Sequence, residues 1–148
     1  MLKGDILIVG IGNELRSDDG IGPELMKRLK GKITAQCLDV GLSPENYIGK
    51  IISFAPEVIV FVDAVDLGEP AGTIKVIAAG DIPLYGFSTH NMSPKLMIEN
   101  IACQINVSML MIGVQPKSVE FGEGLSAEAV SALATIEAVL VELLGKSK

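Results

Sequence analysis

Residues 6–30 read ILIVGIGNELRSDDGIGPELMKRLK, and this stretch decides the fold class. Ile6–Val9 is a continuous apolar run that stops at glycine, the pattern of a strand buried on both faces. Pro23–Lys30 then reads as a helix, with Pro23 near its first turn and Gly31 just past its end. Between them runs the loop Gly10–Gly20, which carries Glu14, Asp18 and Asp19. A buried strand feeding a helix through a glycine-bounded loop is the opening unit of an α/β sheet.

The rest of the chain continues the alternation. Ile33–Val40 reads as a second strand, and Ser43-Pro44-Glu45 supplies the cap, first-turn proline and first-turn acid of a helix reaching Phe54. Val58–Val62 is a third strand, the most apolar of all, with Asp63 at its end. Thr73–Ile77 follows too closely for a crossover helix, so this strand should run antiparallel. Ala78–Met92 is an irregular loop; Ser93-Pro94 opens a helix to Gln104, Val107–Val114 is a fifth strand, and Leu125–Leu144 is a closing amphipathic helix capped by Ser126. The order β-α-β-α-β-β-α-β-α has no linker or repeat. It predicts one domain over residues 1–148: a three-layer α/β/α arrangement, a mostly parallel sheet of about five strands with helices on both faces. Strand order within the sheet is not fixed by this pattern.

Composition narrows the partners. Apolar residues make up 49% of the chain and charged residues 20%, a globular balance that leaves little room for disorder. With aromatic residues at only 4%, the core must be built from Ile, Val, Leu and Met. A net charge of −6 argues against nucleic acid or an anionic membrane as partner, since both need a basic face. No stretch reaches the roughly 18–20 apolar residues that span a bilayer. Cys37 and Cys103 are far apart, form no CxxC pair and read as buried, reduced thiols, which points to the cytoplasm.

The candidate functional groups lie where strands end: the acids of the Gly10–Gly20 loop, the pair Asp63 and Asp66, and His90, the single histidine of the chain. Two carboxylates and an imidazole suit a divalent metal while leaving coordination positions free. Asp63 follows Val58–Val62 directly, where an unpartnered carboxylate would be costly to desolvate. Thr89, Asn91 and Ser93 are compact polar neighbours able to fix the His90 tautomer. Other readings are weaker. Gly10-x-Gly12 is half of a dinucleotide fingerprint with Asp39 as ribose ligand, yet its third glycine is replaced by Leu15, and the loop's acids would repel phosphate. A serine hydrolase using Ser88 or Thr89 beside His90 lacks any Gly-x-Ser-x-Gly elbow. Cys37 with His90 is weaker still, because Cys37 falls inside a strand.

Gly10–Gly22 together with Val62-Asp63-Ala64-Val65-Asp66 and Thr89-His90-Asn91-Met92 closely resembles the hydrogenase maturation proteases, the endopeptidases that trim [NiFe]-hydrogenase large-subunit precursors. Asp39-Val40-Gly41, Ser43-Pro44-Glu45-Asn46 and Gly113-Val114-Gln115-Pro116 support the match, which runs from Ile6 to Pro116 and looks most like the branch serving formate-hydrogenlyase-type hydrogenases. The resemblance implies a metal-dependent or aspartic-type endopeptidase that removes a C-terminal extension after nickel insertion. It implies metal contact by Asp19, Asp63 and His90, with Asp39 as a further acid of the catalytic set. Asp18 and Asp19 are adjacent and only one can be the main ligand; alignment to the family favours Asp19. The nickel would be carried by the precursor, which is the implied partner. A non-catalytic nickel checkpoint or metallochaperone module would use the same three ligands without hydrolysis.

Overall fold

A computed structural model describes residues 5–83 and 93–145. Five strands form one sheet: β1 (Ile6–Ile11), β2 (Gln36–Gly41), β3 (Val58–Ala64), β4 (Ile74–Ala78) and β5 (Ser108–Val114). The sheet order is β2-β1-β3-β5-β4; the first four are mutually parallel, and β4 runs antiparallel along β5. Four helices cover it: α1 (Ile21–Leu29), α2 (Ile48–Ser53), α3 (Pro94–Ala102) and α4 (Ala127–Leu144). The three-layer α/β/α expectation and the antiparallel β4 both hold.

Alternation along the central strands creates two apolar layers. Ile6 and Ile8 of β1, with Val60, Val62 and Ala64 of β3, face α1 and α4. Leu7, Val9 and Ile11, with Ile59 and Phe61, face α2 and α3 and meet Ile51, Met97 and Ile101. All six residues of β1 are buried, as an inner parallel strand with both faces covered requires.

Helix α1 lies unusually close to the sheet. A Cβ built on Gly22 would stand 2.4 Å from the Ile11 carbonyl oxygen and 2.7 Å from that of Val62, so helix backbone touches strand backbone directly. Gly12 has φ +148°, and a Cβ there would fall 1.9 Å from the carbonyl oxygen of Asp19. The glycines of this loop therefore serve close packing, and no phosphate cradle is needed to explain them.

Several boundaries differ from expectation for identifiable reasons. β2 begins at Gln36 because Ile33 is diverted into an antiparallel bridge with Gly145, and the Thr34 N–H donates to the Leu144 carbonyl. The helix expected from Ser43 splits into a 3-10 turn, Pro44–Tyr47, followed by α2, and Ser43 makes no side-chain cap. Ser93 and Ser126 do cap: their hydroxyls accept from the Leu96 and Ala129 N–H groups at 3.2 and 3.1 Å. Cys37 is half-buried, which pushes its thiol up, whereas Cys103 is exposed in the turn after α3 and corrects the expectation that both thiols are buried. No helix among the described residues is long and apolar enough to cross a membrane.

Candidate active site

Among the described residues, the fully buried charged side chains are three acids: Asp18, Asp19 and Asp63. All three lie at the carboxyl edge of the parallel strands, where this architecture gathers its functional groups. Burying a carboxylate is expensive unless something answers its charge, so each needs a physical explanation.

Asp18 has one. Its carboxylate accepts from the Lys117 N–H at 2.8 Å, the Ser126 N–H at 2.7 Å and the Ser126 hydroxyl at 2.7 Å. Its own N–H donates to the Ser118 carbonyl, and the neighbouring Ser17 N–H donates to Gly122. Arg16 completes the seam, with Nε donating to the Val119 carbonyl at 3.0 Å and its guanidinium 4.7 Å over the Phe121 ring. Asp18 is thus a strut between the first loop and the start of α4. Its hydrogen-bonding capacity is spent on structure.

Asp19 is turned to other company. It sits in the 3-10 turn Ser17–Gly20, which lies against β3, and it is completely buried. Its Oδ2 accepts from the Asn13 N–H at 3.0 Å, closing the loop upon itself. The adjacent acids therefore divide their labour: Asp18 anchors the loop, and Asp19 is the one held at the β1–β3 edge.

Asp63 belongs to β3 rather than following it, in register with Gly113 of β5. Alternation with Ile59 and Phe61 directs it to the α2–α3 face, where it is fully buried. Asp39 lies elsewhere. It pairs in register with Gly10, which pairs with Val62, so Asp39 shares the opposite, α1 face. There it is exposed, accepts from the Gly41 N–H at 2.9 Å, and borders a groove of about 390 Å³ with Pro23, Met26, Lys27 and Cys37. Asp63 lies at the carboxyl end of β3, against which the turn bearing Asp19 packs; Asp39 lies near the carboxyl end of β2, on the face opposite Asp63. Lys27, near that groove, donates to Glu14 at 2.6 Å, which raises the pKa of its ammonium.

Asp66 is also accounted for structurally. Its Oδ1 accepts from the Gly68 N–H at 3.1 Å and from the Gln115 amide at 3.3 Å, in the exposed turn after β3. His90, Ser88 and Thr89 lie outside the described residues. Two participants escaped sequence reasoning: Ser126 as partner of Asp18, and Gln115 as partner of the turn after β3. The motif around Gln115 was visible, but its contacts were not.

Comparison with known proteins identifies the family. The family model described as hydrogenase maturation protease matches residues 21–143. The Hydrogenase 3 maturation protease of Escherichia coli K12 is 33% identical over 120 residues, covering 79% of this chain and 76% of that protein. The crystal structure of a [NiFe] hydrogenase maturation protease, HycI, from Thermococcus kodakarensis superposes with a TM-score of 0.85 at 31% identity, covering 95% of this chain and 92% of that one. The solution structure of the endopeptidase HycI from Escherichia coli gives 0.83 at 30% identity, covering 93% and 90%. With most of its length matched by the family model and its whole fold shared with these enzymes, the chain belongs to the hydrogenase maturation protease family and is a hydrolase of the endopeptidase kind.

Proposed function

We propose that this protein removes the C-terminal extension of a [NiFe]-hydrogenase large-subunit precursor after nickel insertion, and that Asp19, Asp63 and His90 read the nickel carried by that substrate. The observation that carries the reading is the burial of Asp19 and Asp63 at one edge of the sheet in a chain of this family. Hard carboxylate oxygens and a borderline imidazole nitrogen suit Ni²⁺ and leave room for ligands from the precursor itself. Docking the metal would place the scissile peptide against this edge, and positioning of that kind is a large share of catalysis.

Hydrolysis then adds one water across the amide: its oxygen bonds the carbonyl carbon, the C–N bond breaks, and a proton goes to the leaving amine. Substrate nickel supplies charge that can polarise the carbonyl or acidify a water. Asp39, on the opposite face and engaged with Gly41, is assigned to its turn rather than to proton transfer. Two free thiols fit action in the reducing cytoplasm.

Intact-mass analysis of a nickel-loaded precursor tests the proposal, with Asp63→Asn, His90→Ala and nickel-free precursor as comparisons. Loss of one C-terminal peptide is expected only with the unaltered enzyme and nickel-loaded precursor. Cleavage by His90→Ala at the normal rate would remove the ligand assignment. A stable complex whose mass never changes would make the protein a nickel checkpoint instead.

A further inference from the structure

Residue Gln115, immediately past β5, touches both limbs of the connection that leads from β3 to β4. Its main chain holds the returning limb: the Gln115 N–H donates to the Thr73 carbonyl at 2.9 Å, and the Gly72 N–H donates to the Gln115 carbonyl at 2.8 Å. Its side chain holds the outgoing limb. Oε1 accepts from the Leu67 N–H at 2.5 Å and the Glu69 N–H at 3.4 Å, while Nε2 donates to Asp66 Oδ1 and to the Pro116 carbonyl, both at 3.3 Å. Three of these four side-chain bonds go into the 66–69 turn, and the fourth returns to the neighbouring Pro116. An amide is suited to this, since one end accepts while the other donates.

The outgoing limb is the one attached to Asp63, only two residues before Val65. The Val65 N–H still follows the β3–β5 ladder by donating to Val114 at 3.0 Å, and Leu67 packs against the apolar layer that Phe61 and Met97 share. Because β5 lies on the side of β3 away from β1, the clamp draws the turn toward β5.

We infer that Gln115 is a positioning residue for the processing reaction: its side chain pins the 65–69 turn that follows Asp63 and so holds the end of β3, with its carboxylate, in the position that meets the metal-bearing precursor. This rests on the reading of Asp63 given above. The side chain acts on the near limb alone, since any residue except proline at 115 would retain the main-chain bonds to Gly72 and Thr73. Its substitution should therefore loosen the turn without dismantling β4.

Steady-state processing of nickel-loaded precursor by the full-length protein tests the inference. Gln115→Ala is expected to raise KM by about tenfold, the scale of one or two lost hydrogen bonds, with kcat nearly unchanged. Gln115→Glu keeps the acceptor for Leu67 and Glu69 but sets a carboxylate against Asp66, so it should also raise KM; adding Asp66→Asn should lower it again. Thermal melting measured alongside identifies general unfolding, which the compensating pair would not repair. Unchanged KM in Gln115→Ala, or no recovery in the double variant while Gln115→Glu remains folded, overturns the inference. Asp63→Asn separates the two ideas: if it processes normally, the reading of Asp63 fails. If it is inactive while Gln115→Ala behaves as unaltered enzyme, only the role of Gln115 fails.

Discussion

At the first turn of α1, helix meets sheet through bare backbone, with Gly22 resting on Ile11 and Val62 and no side chain between them. On the α2–α3 face, Phe61, Met97 and Met111 hold the helices away from the strands, and Asp63 projects into that side-chain layer. Backbone-on-backbone contact fixes a helix position tightly but leaves no volume for anything else. A layer of side chains is thicker and more forgiving, and an acid can be accommodated within it. The position of α1 in turn sets the 3-10 turn that carries Asp19, so the tight face builds what the roomier face uses.

This contrast breaks first at Gly22. A Cβ there meets three backbone atoms within 2.7 Å, none of which can swing aside, so Gly22→Ala should cost about 3 kcal/mol or more of stability in chemical denaturation. Met97→Leu, a change of similar modesty in the fully buried layer of the other face, should cost less than about 1.5 kcal/mol. Equal losses would erase the distinction between the faces.

Asp18→Ala sharpens it at the loop. Removing a nearly inaccessible carboxylate strands the Lys117 and Ser126 N–H donors, and a loss of about 2–3 kcal/mol is expected in the same measurement. Processing should fall with it, because Asp19 shares the loop.

The smallest effect belongs to Asp39→Asn. The residue is exposed and on the α1 face, and an asparagine oxygen can still accept from Gly41. Cleavage of nickel-loaded precursor should stay within about twofold of the unaltered rate, below one kcal/mol of barrier. A loss of a hundredfold would return Asp39 to the catalytic set.

Local chemistry explains why much of this was readable in the sequence. The Ser93 and Ser126 caps, the apolar run of β3 and the short link into β4 are written within a few neighbouring residues, and each forms as expected. Asp63 was legible because an acid abutting five apolar residues must be buried or at a strand end. What failed depends on distant chain. Ile33 left its strand for Gly145, and nothing near Ile33 announces that partner. The faces of Asp39 and Asp63 follow from register between strands that are not adjacent in sequence. Adjacent acids in one loop look alike until Ser126, 108 positions on, takes one of them. Asp18 is thus a long-range fact in local disguise.

That partnership has a consequence for the order in which the enzyme comes into being. A ribosome makes β1, α1 and Asp63 early, yet the bonds that tether Asp18 depend on residues 117 and 126, deep in the second half of the chain. Until α4 begins to emerge, the loop bearing Asp19 lacks its brace, and this long loop closure makes the brace a late event in folding. The nascent chain would be unarmed for most of its synthesis, and the start of its last helix is what cocks it.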